Sequence, residues 1–467
     1  MPSVRPRPRL LLAALCVSVL GIRPGLAEEA GAPAPPTVVV SAEPRQTLDG
    51  FGSSTAWYAD EFADFAPAER AAMLRFLFDR EAGLGLSIHR IRLDPDPAEN
   101  RDGPPYDWSD ARLGKQLALL REIQAAHAPR FLASPWTPPS WMKDNTSQKN
   151  GGRLLPEHYG RYAALLAEWT AGLRERGIPV SLLSLQNEPE EAKRWESCVW
   201  TPAELATFAG RHLAPALAAR GLDLPLLANE FTQWDDRDLD ALLAHPDAAA
   251  APITHAAAHL YKKSHRRVRP FPGVAGRGLA LWMTEFYVGD YLFPEKPVDE
   301  TTRGLVLAAA VHDTLVVAEA RAFLFWWSIA PPTKRPEGLI TAWFEPPAQA
   351  PFTRWEPMPH AYFLGHYSRF LPPGSVRLAA DTAALPAEVR LSAYLRPDGA
   401  RVLVALNPAA TPATLRVTLE SPRAFHAFRT SAEERLAPVA PPAAEAAALV
   451  LALPPRSAST FLEAVAP

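Results

Sequence analysis

The sequence predicts an α/β protein, a (β/α)8 TIM barrel carrying a side-packed antiparallel β-sandwich. Eight apolar runs of strand length begin near residues 47, 88, 131, 181, 224, 253, 279 and 322, and helical segments separate them. Most of these runs are close to continuously apolar, as strands of a parallel sheet buried on both faces must be. After Gly374 the texture changes to short alternating segments divided by Pro- and Gly-containing turns, the pattern of an antiparallel sandwich. An open doubly wound sheet shares the strand–helix alternation, but the chain has no glycine fingerprint for it, and eight units match a closed barrel.

The amino terminus reads as an export signal. Arg5, Arg7 and Arg9 precede the apolar run Leu10–Leu20, and Gly25-Leu26-Ala27 offers a small-residue cleavage site. The run is shorter than the roughly 20 residues of a membrane span. Residues 1–27 are therefore expected to direct secretion without stable membrane insertion, and 28–36 to form a disordered leader. Residues 37–46 are expected to be the first strand of the sandwich, because an isolated β-branched run before a barrel needs a sheet to pair with. The barrel is placed at 47–373 and the rest of the sandwich at 374–467.

Within the barrel, Pro67–Phe78 has helical spacing, with Met73, Leu74, Leu77 and Phe78 on one face and Pro67 in the first turn, where its missing N–H costs nothing. Ile88–Asp94 alternates as a strand; Leu117–Ala126 is helical; Phe131–Trp136 is a strand ending in a Pro/Trp loop. His158–Arg176 is a long amphipathic helix that Gly177 can terminate. Pro202–Arg220 is read as one helix, Leu224–Glu230 as a strand despite Pro225, and Leu239–Leu243 as a helix. Ile253–Tyr261 is a buried strand, Thr301–Ala320 a helix, and Ala322–Ser328 a wholly apolar strand. In the sandwich, strands are expected at 389–395, 401–406, 413–419, 447–453 and 457–464.

Composition excludes several functions. With 48% hydrophobic and 21% charged residues the chain can bury a large core, and a net charge of -3 gives no electrostatic case for nucleic acid or an anionic membrane. The two cysteines are Cys16, inside the signal, and Cys198, so the mature chain has no internal disulfide. There is no zinc spacing, HExxH or Walker-type loop; neither a metal nor a cofactor is expected.

The chemistry is expected where two apolar runs stop at an acid. Ser181–Leu185 leads into Gln186-Asn187-Glu188-Pro189, and Leu279–Thr284 leads into Glu285. In a parallel barrel the carboxyl ends of the strands form the rim that carries active sites. Glycoside hydrolysis in its common form needs two carboxyl groups flanking the bond. Glu188 and Glu285, at the ends of the fourth and seventh strands, form such a pair, with Glu230 and Asp94 as rivals. Asn187 is placed to hydrogen-bond a sugar hydroxyl near the cleaved bond.

The surrounding segments resemble glycoside hydrolase family 30, especially its bacterial xylanase-like members. The matching pieces include Leu48–Ser54, Ala133–Lys143, Leu183–Pro189, Glu196–Thr201, Trp282–Glu285 and Tyr367–Gly374, in order from about residue 37 onward. The resemblance implies a retaining mechanism with Glu188 as general acid/base and Glu285 as nucleophile; Glu188 should then carry a raised pKa, helped by the negative charge of Glu285. Trp57, Trp136 and Trp327 either stack on sugar faces or pack the rim. Arg92 is assigned beside the nucleophile, with Arg90 as the competing choice. Tyr261 is assigned as a donor to Glu285, and His259 is read as a satisfied core histidine.

Xylanase-like members that depend on a glucuronic acid branch carry an arginine and a tyrosine after the eighth-strand Trp pair. Here that place reads Ser328-Ile329-Ala330-Pro331-Pro332-Thr333-Lys334-Arg335, so branch dependence is not implied. The function expected is a secreted, monomeric, retaining glycosidase acting on a polysaccharide, foremost an endo-β-1,4-xylanase. A β-1,6-glucanase, a β-1,6-galactanase or an exo-acting β-glycosidase shares the same acids. A non-catalytic carbohydrate-binding protein would have no need of them.

Overall fold

The computed structural model describes residues 34–464 apart from Ser421 and Ala446. The signal expected over 1–27, with Cys16, and most of the expected leader lie outside the described residues. Strand β1 (Thr37–Thr47) comes first. Eight barrel strands follow: β2 (Gly50–Ser54), β3 (Ile88–Arg92), β4 (Arg130–Ser134), β5 (Val180–Ser184), β6 (Leu226–Phe231), β7 (Ile253–Ala258), β8 (Ala280–Met283) and β9 (Ala322–Ala330). Each pairs in parallel with its neighbour in sequence, and β9 pairs with both β8 and β2, so the ring closes. Gly52 is required where β2 meets β3, because a Cβ there would lie 2.4 Å from the Ile88 carbonyl oxygen.

Several boundaries differ from the sequence expectation. Strand β5 stops at Ser184, so Gln186, Asn187 and Glu188 lie beyond the ladder on irregular backbone. Strand β6 starts only after Pro225, which has no N–H to give to a ladder. The helix expected over 202–220 is helical at Pro202–Thr207 and Ala214–Ala219, with a π-helical turn, Phe208–Leu213, between them. Pro215 cannot donate to the carbonyl of Arg211, and the wider turn accommodates that loss. Beside the barrel, two of the strands that were not foreseen extend its sheet: β10 (Gly338–Ala342) adds in parallel to β9, and β11 (Trp355–Pro357) adds antiparallel to β10.

The remaining strands are β12 (Val376–Asp381), β13 (Arg390–Leu395), β14 (Arg401–Asn407), β15 (Ala413–Thr418), β16 (Phe425–Thr430), β17 (Ala437–Val439), β18 (Ala443–Glu445), β19 (Ala448–Leu453) and β20 (Ser457–Glu463). They form one sheet in the order β17-β16-β20-β14-β13-β12-β1-β15-β19-β18. The sheet curls on itself, so residues from strands distant in that order, such as Leu403 and Leu451, share one core with Val38, Leu391, Leu415 and Phe461. Strand β1 occupies the middle, antiparallel to β12 and parallel to β15, the one parallel pair among the described strands of this sheet. The amino-terminal segment is thereby tied to the carboxyl-terminal sheet.

A separate apolar cluster fills the lower lumen of the barrel: Ile88, Leu132, Leu182, Leu227, Ala257, Ala280, Trp282, Ala322 and Leu324. It is drawn from β3 to β9, and it is the floor on which the site rests.

Candidate active site

Side chains two residues apart on a strand share a face. Two residues beyond the apolar floor, β3 therefore presents Arg90, β4 presents Ser134 and β5 presents Ser184. All three are buried, and all reach the same group or its neighbours. Arg90 donates to Glu285 Oε2 at 2.5 Å, to Asn187 Oδ1 at 2.7 Å and to Ser134 Oγ at 3.1 Å, and lies 3.0 Å from Glu230 Oε1. Glu230 in turn accepts from Ser184 and, at 3.4 Å, from Ser134. The floor excludes water from below, so each charge has to be met by a protein partner.

The two acids approach from opposite sides of this layer. Glu188 sits at φ 47° and Glu230 at φ 46°, the left-handed region that non-glycine residues avoid. Backbone bonds hold this turn in place: Glu188 N–H donates to the Glu230 carbonyl at 3.1 Å, and Asn187 N–H to that of Pro135 at 2.9 Å. Carboxylate oxygens of Glu188 and Glu285 and a ring nitrogen of His259 all lie within 4.8 Å of one another. Glu285 Oε1 accepts from the Tyr261 hydroxyl at 2.8 Å. On Glu188, Oε1 is 3.2 Å from His259 Nδ1, and Oε2 is 3.4 Å from Lys193 Nζ.

The partners set the protonation. Burial alone would lower the His259 pKa, but the carboxylates of Glu285, Glu188 and Glu230 raise it to about 9. Burial would raise Glu230, yet Arg90 and His259 hold it down at about 2. Glu285 is pushed above the ordinary carboxylate value by burial, against the pull of His259 and Arg90. Glu188 goes the other way: burial opposes it, but the hydrogen bond and charge of His259, and then Lys193, bring it below the ordinary value. The raised pKa expected for Glu188 is therefore not what the free site provides. His259 is the reason, since a protonated imidazole outweighs the nearby Glu285.

Among the described residues, the cluster that could hold a cation is Glu188, His259 and Glu285. Two of those groups are already met by cations, Arg90 and Lys193, and His259 is itself protonated below about pH 9, so a metal ion would enter against like charge. Cys198 is free and buried, and burial pushes its thiol up to about 12, which leaves no thiolate for nucleophilic chemistry.

A cleft of about 810 Å³ opens above Glu188 and Glu285. Of the aromatic residues singled out in the sequence, Trp57 and Trp327 line it, and the Trp327 indole N–H is buried without a protein partner. Trp136 also borders it but is only 1% exposed, beneath the Arg90 guanidinium at 4.5 Å and against Trp57 and Trp326. It packs the wall and has no face free for a sugar. Arg92 does not reach the nucleophile position. It clamps Glu196 through two bonds, 2.9 Å and 2.5 Å, and lies 3.5 Å from Asp94. Arg90 takes the place given to Arg92, because the layer above the floor falls at residue 90 and Arg92 is one layer higher. Tyr261 stands against Glu285, and Asn187 against Arg90. His259, read as a core histidine, is buried but belongs to the acid cluster. Missed altogether were Lys193, Tyr287, Tyr291 and Glu337, which border the cleft outside the barrel strands with no strand-end signal; Trp326, in β9 beside Trp327, borders it as well.

Residues 110–268 match the profile described as the glycosyl hydrolase family 30 TIM-barrel domain, and residues 374–461 that of the family 30 β-sandwich domain. The chain belongs to glycoside hydrolase family 30. Among family relatives, the glucuronoxylanase XynC of Bacillus subtilis (strain 168) is 29% identical over 459 residues, 94% of this chain and 93% of that protein. The fold agrees with two solved family 30 structures. The subfamily 8 xylanase Xyn30A of Clostridium acetobutylicum has a TM-score of 0.75 at 24% identity, covering 92% of this chain and all (100%) of the other. The catalytic domain of xylanase C of Talaromyces cellulolyticus has a TM-score of 0.77 at 22% identity, again over 92% and 100%. As a member of this family the protein hydrolyses glycosidic bonds, and its substrate is a carbohydrate.

Proposed function

We propose that the protein is a retaining endo-β-1,4-xylanase in which Glu285 is the nucleophile and Glu188 the general acid/base. The observation that carries the reading is the spacing of the two carboxylates, whose oxygens come within 4.8 Å. Retention by double displacement uses carboxyl groups about 5–5.5 Å apart, whereas inversion needs roughly 6.5–9.5 Å to admit a water. The partners divide the roles. Glu285 is gripped by Arg90 and Tyr261, two donors that stabilise an anion and fix its attacking oxygen. Glu188 has His259 and Lys193 beside it, one of them able to exchange a proton.

In the first step Glu285 attacks the anomeric carbon while Glu188 protonates the departing glycosidic oxygen, leaving a glycosyl ester on Glu285. In the second, Glu188 takes a proton from water as its oxygen attacks the same carbon, and Glu285 leaves as carboxylate. Glu188 must begin in its acid form. His259 supplies it: once a sugar covers the site, transfer of the Nδ1 proton to Glu188 Oε1 turns an ion pair into two neutral groups, which a drier cleft favours. Trp57 and Trp327, packed edge to face, form part of the aromatic wall against which a sugar would lie.

Xylan as substrate is supported by the Bacillus relative, itself a glucuronoxylanase. Export is inferred from the basic-then-apolar pattern of residues 1–27. No helix among the described residues is long and apolar enough to cross a membrane. The test is product analysis on glucuronoxylan, arabinoxylan, β-1,6-glucan and β-1,6-galactan, with the anomer formed first read by proton NMR. Xylo-oligosaccharides released as the β-anomer are expected. Products from a β-1,6 polymer alone would replace the substrate, and an α-anomer would remove the mechanism.

A further inference from the structure

The two ends of the cleft differ in the state of their cations. On the Glu285 side, Lys334 lies 3.5 Å from Glu337, and Arg335 lies 2.8 Å from Glu356, so both are already met by carboxylates. Glu337 faces the cleft, and burial, reinforced by Glu285, raises its pKa although Lys334 opposes the shift. A second anion brought to this end would meet acid and no free base.

The other end is built from the loop that follows Glu188 and from the segment 143–154 laid against it. Lys149 and Glu196 form an antiparallel bridge, Asn150 N–H donates to the Lys193 carbonyl at 2.8 Å, and Ser197 N–H to that of Gln148 at 3.1 Å. These bonds put Lys149 beside Arg194 and Trp195 on the cleft wall. Among the described residues, neither Lys149 nor Arg194 makes an ion pair, and both are exposed. Trp195 is 48% exposed, with the Lys193 ammonium 5.8 Å from its ring centre. Elsewhere in the cleft the tryptophans are packed against one another, whereas this one holds a face open to solvent. An apolar plate flanked by unpaired cations is a surface for a flat, partly apolar, negatively charged ligand.

Its position fixes which part of a substrate it meets. Glu188 protonates the departing oxygen, and Lys193 bridges Glu188 to Trp195, so the plate lies beyond the cleaved bond on the leaving-group side. We propose that this rim is a leaving-group subsite for a sugar bearing a carboxylate, stacked on Trp195 with its anion at Lys149 and Arg194. The proposal rests on the xylanase reading and adds that acidic branches are held after the cleaved bond rather than before it.

The test pairs product mapping with binding. Glucuronate-decorated xylan is digested with wild-type enzyme and the products sequenced by tandem mass spectrometry; the uronate is expected close to the non-reducing end of the fragments. Uronate confined near the reducing end would overturn the proposal. In the Lys149→Ala/Arg194→Ala double variant, the ratio of KM on decorated to KM on neutral xylan should rise about fivefold at low salt. That rise should shrink as salt is added; an unchanged ratio would overturn it. Should wild type cleave neither xylan, the xylanase reading fails separately. Calorimetry of a glucuronate-bearing xylo-oligosaccharide with Glu285→Ala, with and without the double substitution, then decides the subsite. Weaker binding in the double variant supports it; equal binding, or none in either, removes it.

Discussion

Two layers of one barrel lumen lie two residues apart on the same strands and do opposite work. In the lower, Ile88, Leu132 and Leu182 meet in a dry apolar cluster. In the upper, Arg90, Ser134 and Ser184 join Glu230, Asn187 and Glu285 in a buried polar network. The backbone geometry is shared, so the residue type at each level separates support from chemistry. The lesson is that the charged layer is held in register by the apolar one. Substitutions in the two should separate activity from stability.

The largest effect is expected at the proposed nucleophile. Glu285→Ala should lower kcat by roughly 10⁴-fold or more while the melting temperature stays within a few degrees of wild type. Activity close to wild type, measured on the same xylan, would place the nucleophile elsewhere. Next comes Arg90→Leu, which leaves Glu230 and Glu285 buried without their guanidinium. A buried charge stripped of its partner costs about 3–5 kcal/mol, to be read from denaturant midpoints, and activity should fall with it. A variant as stable as wild type would show that Arg90 does not tie the upper layer together.

Leu182→Ala probes the floor. Removing its side chain should cost about 3 kcal/mol by transfer and cavity terms, with kcat per folded molecule little changed. A loss of turnover as large as that of Arg90→Leu would erase the distinction between the layers. The smallest effect concerns pH. His259 carries a pKa of about 9 in the fold against an ordinary 6.5, so its stabilisation is complete below about 6.5 and is lost as pH rises through 9. Thermal unfolding should show that alkaline decline in wild type and a flatter profile in His259→Gln. An identical profile would mean that His259 is not the titrating group.

Legibility follows the same layering. The apolar strands announced themselves because a doubly covered sheet demands continuous hydrophobicity, and Glu188 and Glu285 stood out where such runs stop. The choice between Arg90 and Arg92 was not readable, because both lie on one face of β3. What separates them is height above the floor, which depends on how the strands are staggered. Trp136 illustrates the same limit: its position near a strand end fits a sugar platform, and only packing against Trp57 and Trp326 under Arg90 shows a wall. His259 gave no signal because its partners come from strands and loops far along the chain. Strands β10 and β11 and the Lys149–Trp195 rim belong to loops, whose conformations come from tertiary bonds rather than from any period in the sequence. In the curled sheet, β13, β14, β15, β19 and β20 were found while β12, β16, β17 and β18 were missed; β17 and β18, three residues each, are too short to show a period.

The central claim is a covalent intermediate on Glu285 formed with the help of Glu188. It is tested most directly by incubating the enzyme with an activated 2-deoxy-2-fluoro xylobioside, which slows release of the glycosyl-enzyme, and mapping the label by peptide mass spectrometry. The account predicts one added glycosyl group, located on Glu285. A label on Glu230, or turnover by inversion with no label at all, would contradict it.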